Sequence, residues 1–309
     1  MNTLLIIDGN AIMHRAYHAL PPFHTKDGTP TQVVYGFFSI LHKTLIDFHP
    51  THLIVCFDLA VPTFRKKLFQ EYKAQRKKLE DDFIVQIPLI KEGLTKAQIV
   101  YAEKPGFEAD DLIGTLSKNF PKKPDDKVLI LSGDKDILQL VNPQVLVVTP
   151  KIGFSKMKIY TPEEVKNTYS VTPTQMTDYK ALTGDQSDNY SGAKGIGPKT
   201  AALLINQFQT VENIFNHLET IKPKRLQEIL LTNKNNILMA KQLSTIITNI
   251  KDLKVDEQKI VVKPLPDEFK NFLLKYEIYS LIRRFFNNNS LAKITVSKLK
   301  NNEQIGLFQ

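Results

Sequence analysis

Short apolar runs alternate with helical patterns along the first half of the chain. Each run has the length of a buried strand and ends in a polar or glycine-containing turn, as Leu4–Ile7 does before Asp8. The predicted strands cover residues 4–7, 53–57, 98–101, 128–131, 145–148 and 157–160. Apolar residues at helical spacing separate them, for example at positions 33, 37, 38, 41 and 45. This alternation predicts an α/β domain with a mostly parallel sheet flanked by helices.

The second half of the chain has a helical pattern. It begins near Thr161 and Pro162, because proline suits the first turn of a helix. We therefore expect a first domain at residues 1–165, a helical second domain at 166–290 and a flexible polar tail at 291–309.

Composition and charge point to a polyanionic partner. The chain has 309 residues, of which 42% are hydrophobic, and a formal net charge of +9. Because several acidic residues are concentrated in short stretches, the remaining surface must be more positive still. A basic protein without a nucleic-acid partner remains an alternative on charge alone.

Nothing in the sequence indicates secretion or membrane insertion. The single cysteine, Cys56, lies in an apolar run and excludes both an internal disulfide and a cysteine-based zinc site. The N-terminal apolar run is too short for a signal peptide, and no run reaches the length of a membrane span. We expect a cytoplasmic protein.

Acidic residues follow several of the predicted strands. They are Asp8, Asp58 and Asp134 directly after three strands, and Glu108, Asp110 and Asp111 at the start of the helix after a fourth. Because parallel strands end at one edge of a sheet, these side chains should converge there. Clustered carboxylates need a cation, and Mg²⁺ or Mn²⁺ prefers oxygen ligands. For the three acids on the helix alone, favourable charge at a helix N-terminus is the alternative.

Residues 62–104 form a long excursion between two strands. Lysines and arginines alternate there with Phe64, Phe69 and Tyr72, and the pattern predicts two helices. Cations and aromatic rings in alternation suit single-stranded nucleic acid, whose phosphates and bases they contact. A solvated basic helix face is the alternative.

The second half adds two carboxylates, Asp185 and Asp188, followed by a glycine-rich segment at residues 192–201. Gly195 and Gly197 permit close approach of the backbone to a ligand, and the following helix N-terminus with Lys199 suits a phosphate.

Two other motif-like features are rejected. The glycine-rich segment is not a P-loop, because Pro198 separates the glycine from the lysine and no strand precedes it. His14 and His18 lack an acidic third ligand, which favours packing or DNA contact over zinc.

A set of motifs in a fixed order resembles a known family. The motifs are Asp8-Gly9-Asn10, Val55-Cys56-Phe57-Asp58, Phe64-Arg65, Tyr72-Lys73-Ala74-x-Arg76, Gly106-x-Glu108-Ala109-Asp110-Asp111, Gly133-Asp134-Lys135-Asp136, Gly184-Asp185-x-x-Asp188-Asn189 and Gly195-Ile196-Gly197-Pro198-Lys199-Thr200. The chain resembles the 5′ nuclease family, specifically the 5′→3′ exonuclease/flap endonuclease domain at the N-terminus of bacterial DNA polymerase I. The resemblance runs from about residue 1 to residue 290 and does not include a polymerase part.

The resemblance implies a fold and an active site. The fold would be a PIN-like sheet with a helical arch at about residues 62–104, joined to a helix-hairpin-helix-type (helix-three-turn-helix) domain with its hairpin at 192–201. Two or more Mg²⁺ or Mn²⁺ ions would be bound by Asp8, Asp58, Glu108, Asp110, Asp111, Asp134, Asp136, Asp185 and Asp188. The catalytic residues would be Lys73, Arg76, Asp110 and Asp134.

The resemblance also implies how DNA is bound. The contacting residues would be Arg65, Tyr72, Lys73, Arg76, Lys180, Lys194, Gly195, Gly197, Lys199 and Thr200, with a K⁺ ion held by backbone carbonyls at the hairpin. The expected substrates are DNA with 5′ flaps, nicks or RNA primers, cleaved by a monomer at the nucleoid during Okazaki-fragment maturation and repair.

A short motif near residue 305 suggests a second partner. Gln304, Ile305, Leu307 and Phe308 resemble the pentapeptide by which bacterial replication proteins bind the sliding clamp. A chance match is the alternative.

Two other function classes stay open for the whole chain. A PIN-like ribonuclease would share the acidic sheet edge without needing the hairpin. A non-catalytic branched-DNA-binding module would not need the full set of acids.

Overall fold

The computed structural model describes residues 1–76, 78–151 and 156–287. Within these ranges one six-stranded sheet has the strand order β3-β2-β1-β4-β5-β6. The strands are β1 (Thr3–Asp8), β2 (His52–Cys56), β3 (Tyr101–Ala102), β4 (Lys127–Leu131), β5 (Val145–Pro150) and β6 (Met157–Tyr160). The first five strands are parallel and β6 is antiparallel, so the predicted mostly parallel α/β sheet is confirmed.

Both faces of the sheet are buried, which explains the continuous apolar runs. In β1, Leu4 and Ile6 belong to one core cluster, while Leu5 and Ile7 belong to the cluster on the opposite face. This division follows from the two-residue period of a strand. Helices must therefore cover both faces.

The helices of the first half are α1 (Gly9–Ala19), α2 (Gln32–Phe48), α3 (Phe64–Leu68), α4 (Asp81–Ile84), α5 (Gln86–Lys96) and α6 (Ala109–Asn119). Those of the second half are α7 (Pro162–Tyr169), α8 (Met176–Thr183), α9 (Pro198–Phe208), α10 (Val211–Asn216), α11 (Lys224–Thr232), α12 (Lys234–Ser244), α13 (Asp267–Lys275) and α14 (Tyr279–Ile282). Short 3₁₀ turns occur at Asp136–Leu140, Pro173–Gln175 and Leu218–Thr220, and a π-helical turn at Arg283–Asn287. In the described ranges no helix combines the length and apolar character needed to cross a bilayer.

The excursion at residues 62–104 differs from the sequence pattern. Three short helices, α3, α4 and α5, replace the two expected ones, and residues 69–76 form turns. Lys73 has a φ of 55°, and its N–H donates to the carbonyl of Asp188 at 2.9 Å. Tertiary contacts with the second half therefore set the backbone here in place of local helix propensity. The predicted strand at residues 98–101 is reduced to β3, because the left-handed backbone of Gln98 (φ 55°) does not fit a strand.

The second half does not remain apart from the first. Residues 245–250 run without regular structure across α6, where the lack of a side chain at Gly114 makes room for them. Further along, α13 packs on α5, and Phe272 contacts Phe38 of α2. The end of the expected helical domain thus covers the first half of the chain.

Candidate active site

Three strands of the sheet end in acidic residues at the same edge. Asp8 is the last residue of β1 and caps α1, its Oδ1 accepting the N–H of Ala11 at 3.0 Å. Asp58 follows β2, and its Oδ1 accepts the N–H of Ala109 at 2.7 Å, which ties it to the first turn of α6. Asp134 follows β4 by three residues. The parallel topology therefore brings residues far apart in sequence to one place.

These acids line a cavity of about 780 Å³. Its walls contain acidic side chains from four loops and cations from the segment between α3 and α4. The charged lining residues are Asp8, Asp58, Glu108, Asp110, Asp134, Lys73, Arg76, Lys78 and Glu80. Aromatic rings of α1 and α4 complete the wall on one side. A cavity with this lining suits an anionic ligand only if further cations shield the carboxylates.

Four of the acids have no ion-pair partner among the described residues: Asp8, Asp58, Asp110 and Asp134. Burial raises the pKa of Asp8 to about 7, with Asp58 and Asp134 adding to the effect. Burial, Asp134 and Asp8 likewise raise the pKa of Asp110 well above its ordinary value. The pKa values of Asp58 and Asp134 are also raised, mainly by burial. Their ionised forms are therefore unstable without added positive charge.

The donor chemistry of these four residues fits a divalent cation. All the donors are carboxylate oxygens, which Mg²⁺ and Mn²⁺ prefer. Within the described ranges, however, no three acidic, histidine or cysteine side chains already surround a common point closely enough to ligate one ion. The side chains would have to rotate toward an ion that binds there.

Glu108 and Asp188 are neutralised by cations of the chain itself. The Nζ of Lys73 lies 2.8 Å from Glu108, and the Nη2 of Arg76 lies 2.7 Å from Asp188. Although burial acts to raise the pKa of Glu108, the charges of Lys73 and Arg65 outweigh it and lower that pKa. The hydroxyl of Tyr72 donates to both acids, at 3.2 and 3.0 Å. The two candidate catalytic cations thus reach the cavity while paired.

Asp136 and Asp185 share one cation, Lys180. Its Nζ contacts Asp136 and lies 2.7 Å from Asp185. Burial opposes ionisation of Asp185, but Lys180 lowers its pKa to about 2. Lys180 and Tyr72, both expected to contact DNA, are buried, and their polar groups are directed at acidic residues.

Arg65 and Asp111, expected to contact DNA and a metal ion, form a buried ion pair. Arg65 is 2% exposed and its guanidinium holds both carboxylate oxygens of Asp111 at 2.8 Å. Asp111 also accepts the N–H groups of Glu108 and Ile247. Neither Arg65 nor Asp111 lines the cavity, and the two side chains satisfy each other.

The hairpin residues are placed at the surface. Lys194, Gly195, Gly197 and Lys199 are exposed and Thr200 is half-buried. Gly197 is the N-cap of α9 and Pro198 occupies its first turn. The turn before α9 requires the positive φ of Gly195 (103°), which glycine adopts without strain. Free N–H groups at this helix end are available to an anion.

Two further residues hold the acids in place but were not predicted as site residues. The Oγ of Ser132 donates to Asp8 at 2.7 Å and accepts the N–H of Asp134 at 3.0 Å. Asn10 Oδ1 accepts the N–H of Asp58 at 2.9 Å. Both directly follow or cap a strand end, so the rule that located the acids could have found them. His14 and His18, left between packing and DNA contact, line the cavity with their rings stacked at 6.4 Å.

The four candidate clamp-binding residues, Gln304, Ile305, Leu307 and Phe308, lie outside the described residues.

Two family models together match most of the chain. Residues 3–170 match the model described as 5′-3′ exonuclease, N-terminal resolvase-like domain. Residues 171–268 match 5′-3′ exonuclease, C-terminal SAM fold. The border between the two matches lies close to the start of the helical second half.

Curated proteins with similar sequences are 5′-3′ exonucleases and DNA polymerases I. A 5′-3′ exonuclease of Aquifex aeolicus is 38% identical over 284 residues, which cover 92% of this chain and 95% of that protein. DNA polymerase I of Bacillus caldotenax is 39% identical over 89% of this chain. That match covers 32% of the polymerase, so the chain spans about a third of its length.

Solved structures show the same fold at low sequence identity. The D15 protein of bacteriophage T5, co-crystallised with metal ions, has a TM-score of 0.64 and 19% identity over 97% of this chain and 99% of that one. The catalytic core of Rad2 in complex with a DNA substrate has a TM-score of 0.61 and 17% identity over 93% and 92% of the two chains.

Proposed function

Because the chain belongs to the 5′-3′ exonuclease family, we propose that it hydrolyses phosphodiester bonds at 5′ ends and 5′ flaps of DNA with divalent metal ions. One observation carries the proposal. Four carboxylates that form no ion pair with any described residue, one of them buried and three half-buried, face one cavity together with Lys73 and Arg76. Such a set is costly for a purely structural site, because buried like charges oppose folding.

Asp8, Asp58, Asp110 and Asp134 are the residues that would hold the ions, and Mg²⁺ or Mn²⁺, with two or more bound, matches their oxygen donors. When bound, the ions supply the charge that lowers the pKa of an attacking water and stabilises the leaving oxygen. The hydrogen bonds of Ala11 and Ala109 to Asp8 and Asp58 hold these two carboxylates at the strand ends. The protein thereby fixes where the scissile phosphate must lie.

Lys73 and Arg76 are suited to bind that phosphate. In the structure their charges are satisfied by Glu108 and Asp188, both of which are buried beside the cavity. A phosphate oxygen can replace a carboxylate oxygen without loss of a charge-assisted hydrogen bond. The two side chains would then stabilise charge that develops on the phosphoryl oxygens. Apart from the metal ions, both positive charges for the phosphate would thus come from side chains already at the cavity.

The exposed start of α9 is proposed as the duplex-binding surface. Lys194 and Lys199 offer cations, and the backbone around Gly195 and Gly197 is open to a phosphate. Carbonyl groups of the same turn would hold a K⁺ ion. The cavity and this surface would bind the flap and the duplex of one substrate.

We further propose a setting for this activity. The substrates would be DNA with 5′ flaps, nicks or RNA primers, processed by a monomer at the nucleoid in Okazaki-fragment maturation and repair. The segment around Gln304–Phe308 would recruit the protein to the replication sliding clamp. Support for the clamp comes from its sequence alone, and loss of clamp binding on deletion of residues 303–309 would test it.

A labelled flap tests the catalytic proposal. The protein is incubated with a 5′-labelled flap duplex in Mg²⁺ or in EDTA, beside Asp110→Ala and a matched RNA flap. We expect flap release near the junction in Mg²⁺ only, lost in Asp110→Ala, with the DNA flap preferred. Tight binding without cleavage in either Mg²⁺ or Mn²⁺ would instead support a non-catalytic DNA-binding module, and a preference for RNA would support a ribonuclease.

A further inference from the structure

The buried ion pair between Arg65 and Asp111 connects three separate parts of the molecule. Arg65 lies on α3, at the start of the excursion that carries Lys73 and Arg76. Asp111 lies in the first turn of α6, directly after Asp110. The third part is residues 243–250, called the strap here, which leave α12 and cross α6. None of these parts is close to the others in sequence.

Arg65 and Asp111 form hydrogen bonds to each other and to the backbone of the strap. The Nε of Arg65 donates to the carbonyl of Leu243 at 2.8 Å, and its Nη2 donates to that of Thr245 at 2.8 Å. Its Nη1 and Nη2 groups each donate to one carboxylate oxygen of Asp111. On the other side, Asp111 Oδ1 accepts the N–H of Ile247 at 2.9 Å. The planar fork of arginine can satisfy a carboxylate and two carbonyls at once, which a lysine cannot.

A second contact fixes the strap to the other acidic loop. The side chain of Gln139 donates to the carbonyl of Ser244 at 2.8 Å and accepts the N–H of Ile246 at 2.9 Å. Gln139 also donates to the carbonyl of Asp136, in the loop that carries Asp134. The strap is therefore bonded to the two segments that carry Asp110 and Asp134.

The strap also leads to the proposed duplex-binding surface. It continues α12, whose N-terminal cap Asn233 accepts the N–H of Lys194 in the hairpin at 3.3 Å. Close packing supports a rigid connection, because a Cβ at Gly114 would come within 2.6 Å of Ile246. Packed, fully hydrogen-bonded elements transmit a shift as a unit. A continuous path thus runs from the hairpin through α12 and the strap to α6.

We propose that Arg65 is a positioning residue that couples duplex binding at the hairpin to the placement of Asp110 and of the Lys73–Arg76 segment. The inference rests on the proposed function. Arg65 touches neither substrate nor ion; it acts through Asp111 and the strap. Without the guanidinium of Arg65, the duplex would still bind the second half of the chain. The acids and the cations would no longer be held in a fixed position relative to the bound duplex.

The test compares Arg65→Lys with Asp111→Asn and with a matched control, Lys241→Met. Arg65→Lys keeps the charge opposite Asp111 and removes the simultaneous bonds to the strap. Lys241 lies two residues before the strap and pairs with the buried Asp178. Its ion-pair partners among the described residues, Asp178 and Glu212, both belong to the second half. The control therefore removes a comparable ion pair without breaking the connection.

Three quantities are measured for each variant below its melting temperature. They are the Kd for a blunt duplex in Ca²⁺, the single-turnover cleavage rate on a flap, and hydrogen exchange of residues 62–76 and 106–116 with and without the blunt duplex. In the unmodified protein, the duplex should slow exchange in both segments. In Arg65→Lys we expect Kd to change by no more than about threefold and the protection to disappear. The single-turnover cleavage rate should fall about 100-fold, since misplacement by about 1 Å has that effect. Lys241→Met should retain both the protection and the rate.

The outcomes separate the proposals. A folded Arg65→Lys variant with unchanged rate and protection would reduce the pair to a structural contact and overturn the inference. Absence of duplex-induced protection in the unmodified protein would overturn it as well. If Arg65→Lys does not fold, Asp111→Asn is judged by the same criteria. If the unmodified protein binds duplex but does not cleave, the proposed function fails, while the exchange data still decide on the coupling.

Discussion

Metal-free protein should become more stable when Asp8 is replaced by Asn. Asp8 is 4% exposed, and burial together with Asp58 and Asp134 raises its pKa from 3.8 to about 7. Asn keeps the shape of the side chain and its Oδ1, so it can still accept the N–H of Ala11 as the cap of α1. The replacement therefore removes a charge that opposes folding and retains the helix cap, at the cost of the hydrogen bond that the Oγ of Ser132 donates to Oδ2 of Asp8.

The size of the effect follows from the pKa. One pKa unit corresponds to about 1.36 kcal/mol, so a rise from 3.8 to about 7 makes ionised Asp8 oppose folding by about 4 kcal/mol. Because the folded-state pKa is the higher one, stability is lost as the pH rises from about 4 to about 7 and then stays constant. Since Asp58 and Asp134 share the repulsion, we expect Asp8→Asn to gain about 2 to 4 kcal/mol at pH 8 and little at pH 4.

The assay is chemical denaturation in EDTA at pH 4 to 8, followed by circular dichroism because the chain contains no tryptophan. Asp126→Asn is a matched control. Asp126 lies beside the start of β4. Burial acts to raise its pKa, but the backbone N–H groups of Asn2, Lys122 and Lys123 outweigh it and lower that pKa. Its contribution has the opposite sign: it is present above the ordinary pKa and lost as the pH falls through the lowered one. Asp126→Asn should therefore lose about 1 to 3 kcal/mol at pH 8.

Mg²⁺ should reduce the stability advantage of Asp8→Asn over the unmodified protein. An ion that binds only the folded state stabilises it by about 2.7 kcal/mol at 100 times its Kd, and Asp8→Asn should gain less. If Asp8→Asn is less stable than the unmodified protein in EDTA at pH 8, the acidic residues are not under electrostatic strain and the argument for a cation there is refuted.

Two further predictions concern packing and DNA. Gly114→Ala should lower the free energy of unfolding by about 1 to 3 kcal/mol despite the better helix propensity of alanine, because its Cβ would lie 2.6 Å from Ile246. Urea denaturation measures this change. A more stable variant would show that the strap can move aside without cost. Lys199→Ala should weaken binding of duplex DNA equally for unrelated sequences and reduce the slope of log K against log salt concentration by about 1. Titrations with DNA at several salt concentrations measure this slope. An unchanged slope would show that Lys199 does not contact a phosphate.

The family and the sheet edge could be predicted from the sequence. Asp8, Asp58 and Asp134 each follow a buried apolar run, and parallel strands necessarily end together. The exposed glycines and lysines of the hairpin could also be located, because Pro198 and the following apolar pattern mark the start of α9.

The roles of the charged residues could not all be assigned in this way. Sequence patterns give nine acids and a set of cations without showing which pairs form. Arg65 and Asp111 are 46 positions apart and Tyr72 and Asp188 are 116 apart, yet both contacts are direct hydrogen bonds. A resemblance of motifs does not distinguish a residue that faces a ligand from one that pairs with another residue of the chain.

The sequence by itself determined which residues could reach the site, because strand ends and helix starts are local properties of the chain. Only the tertiary structure decided which acids are left without a protein cation. Within the part of the chain that the structure describes, Asp8, Asp58, Asp110 and Asp134 have no ion-pair partner, while Arg65, Lys73, Arg76 and Lys180 neutralise the others. The physical reason is that charge compensation depends on distance through space and on burial, and neither is encoded in the spacing of residues along the chain.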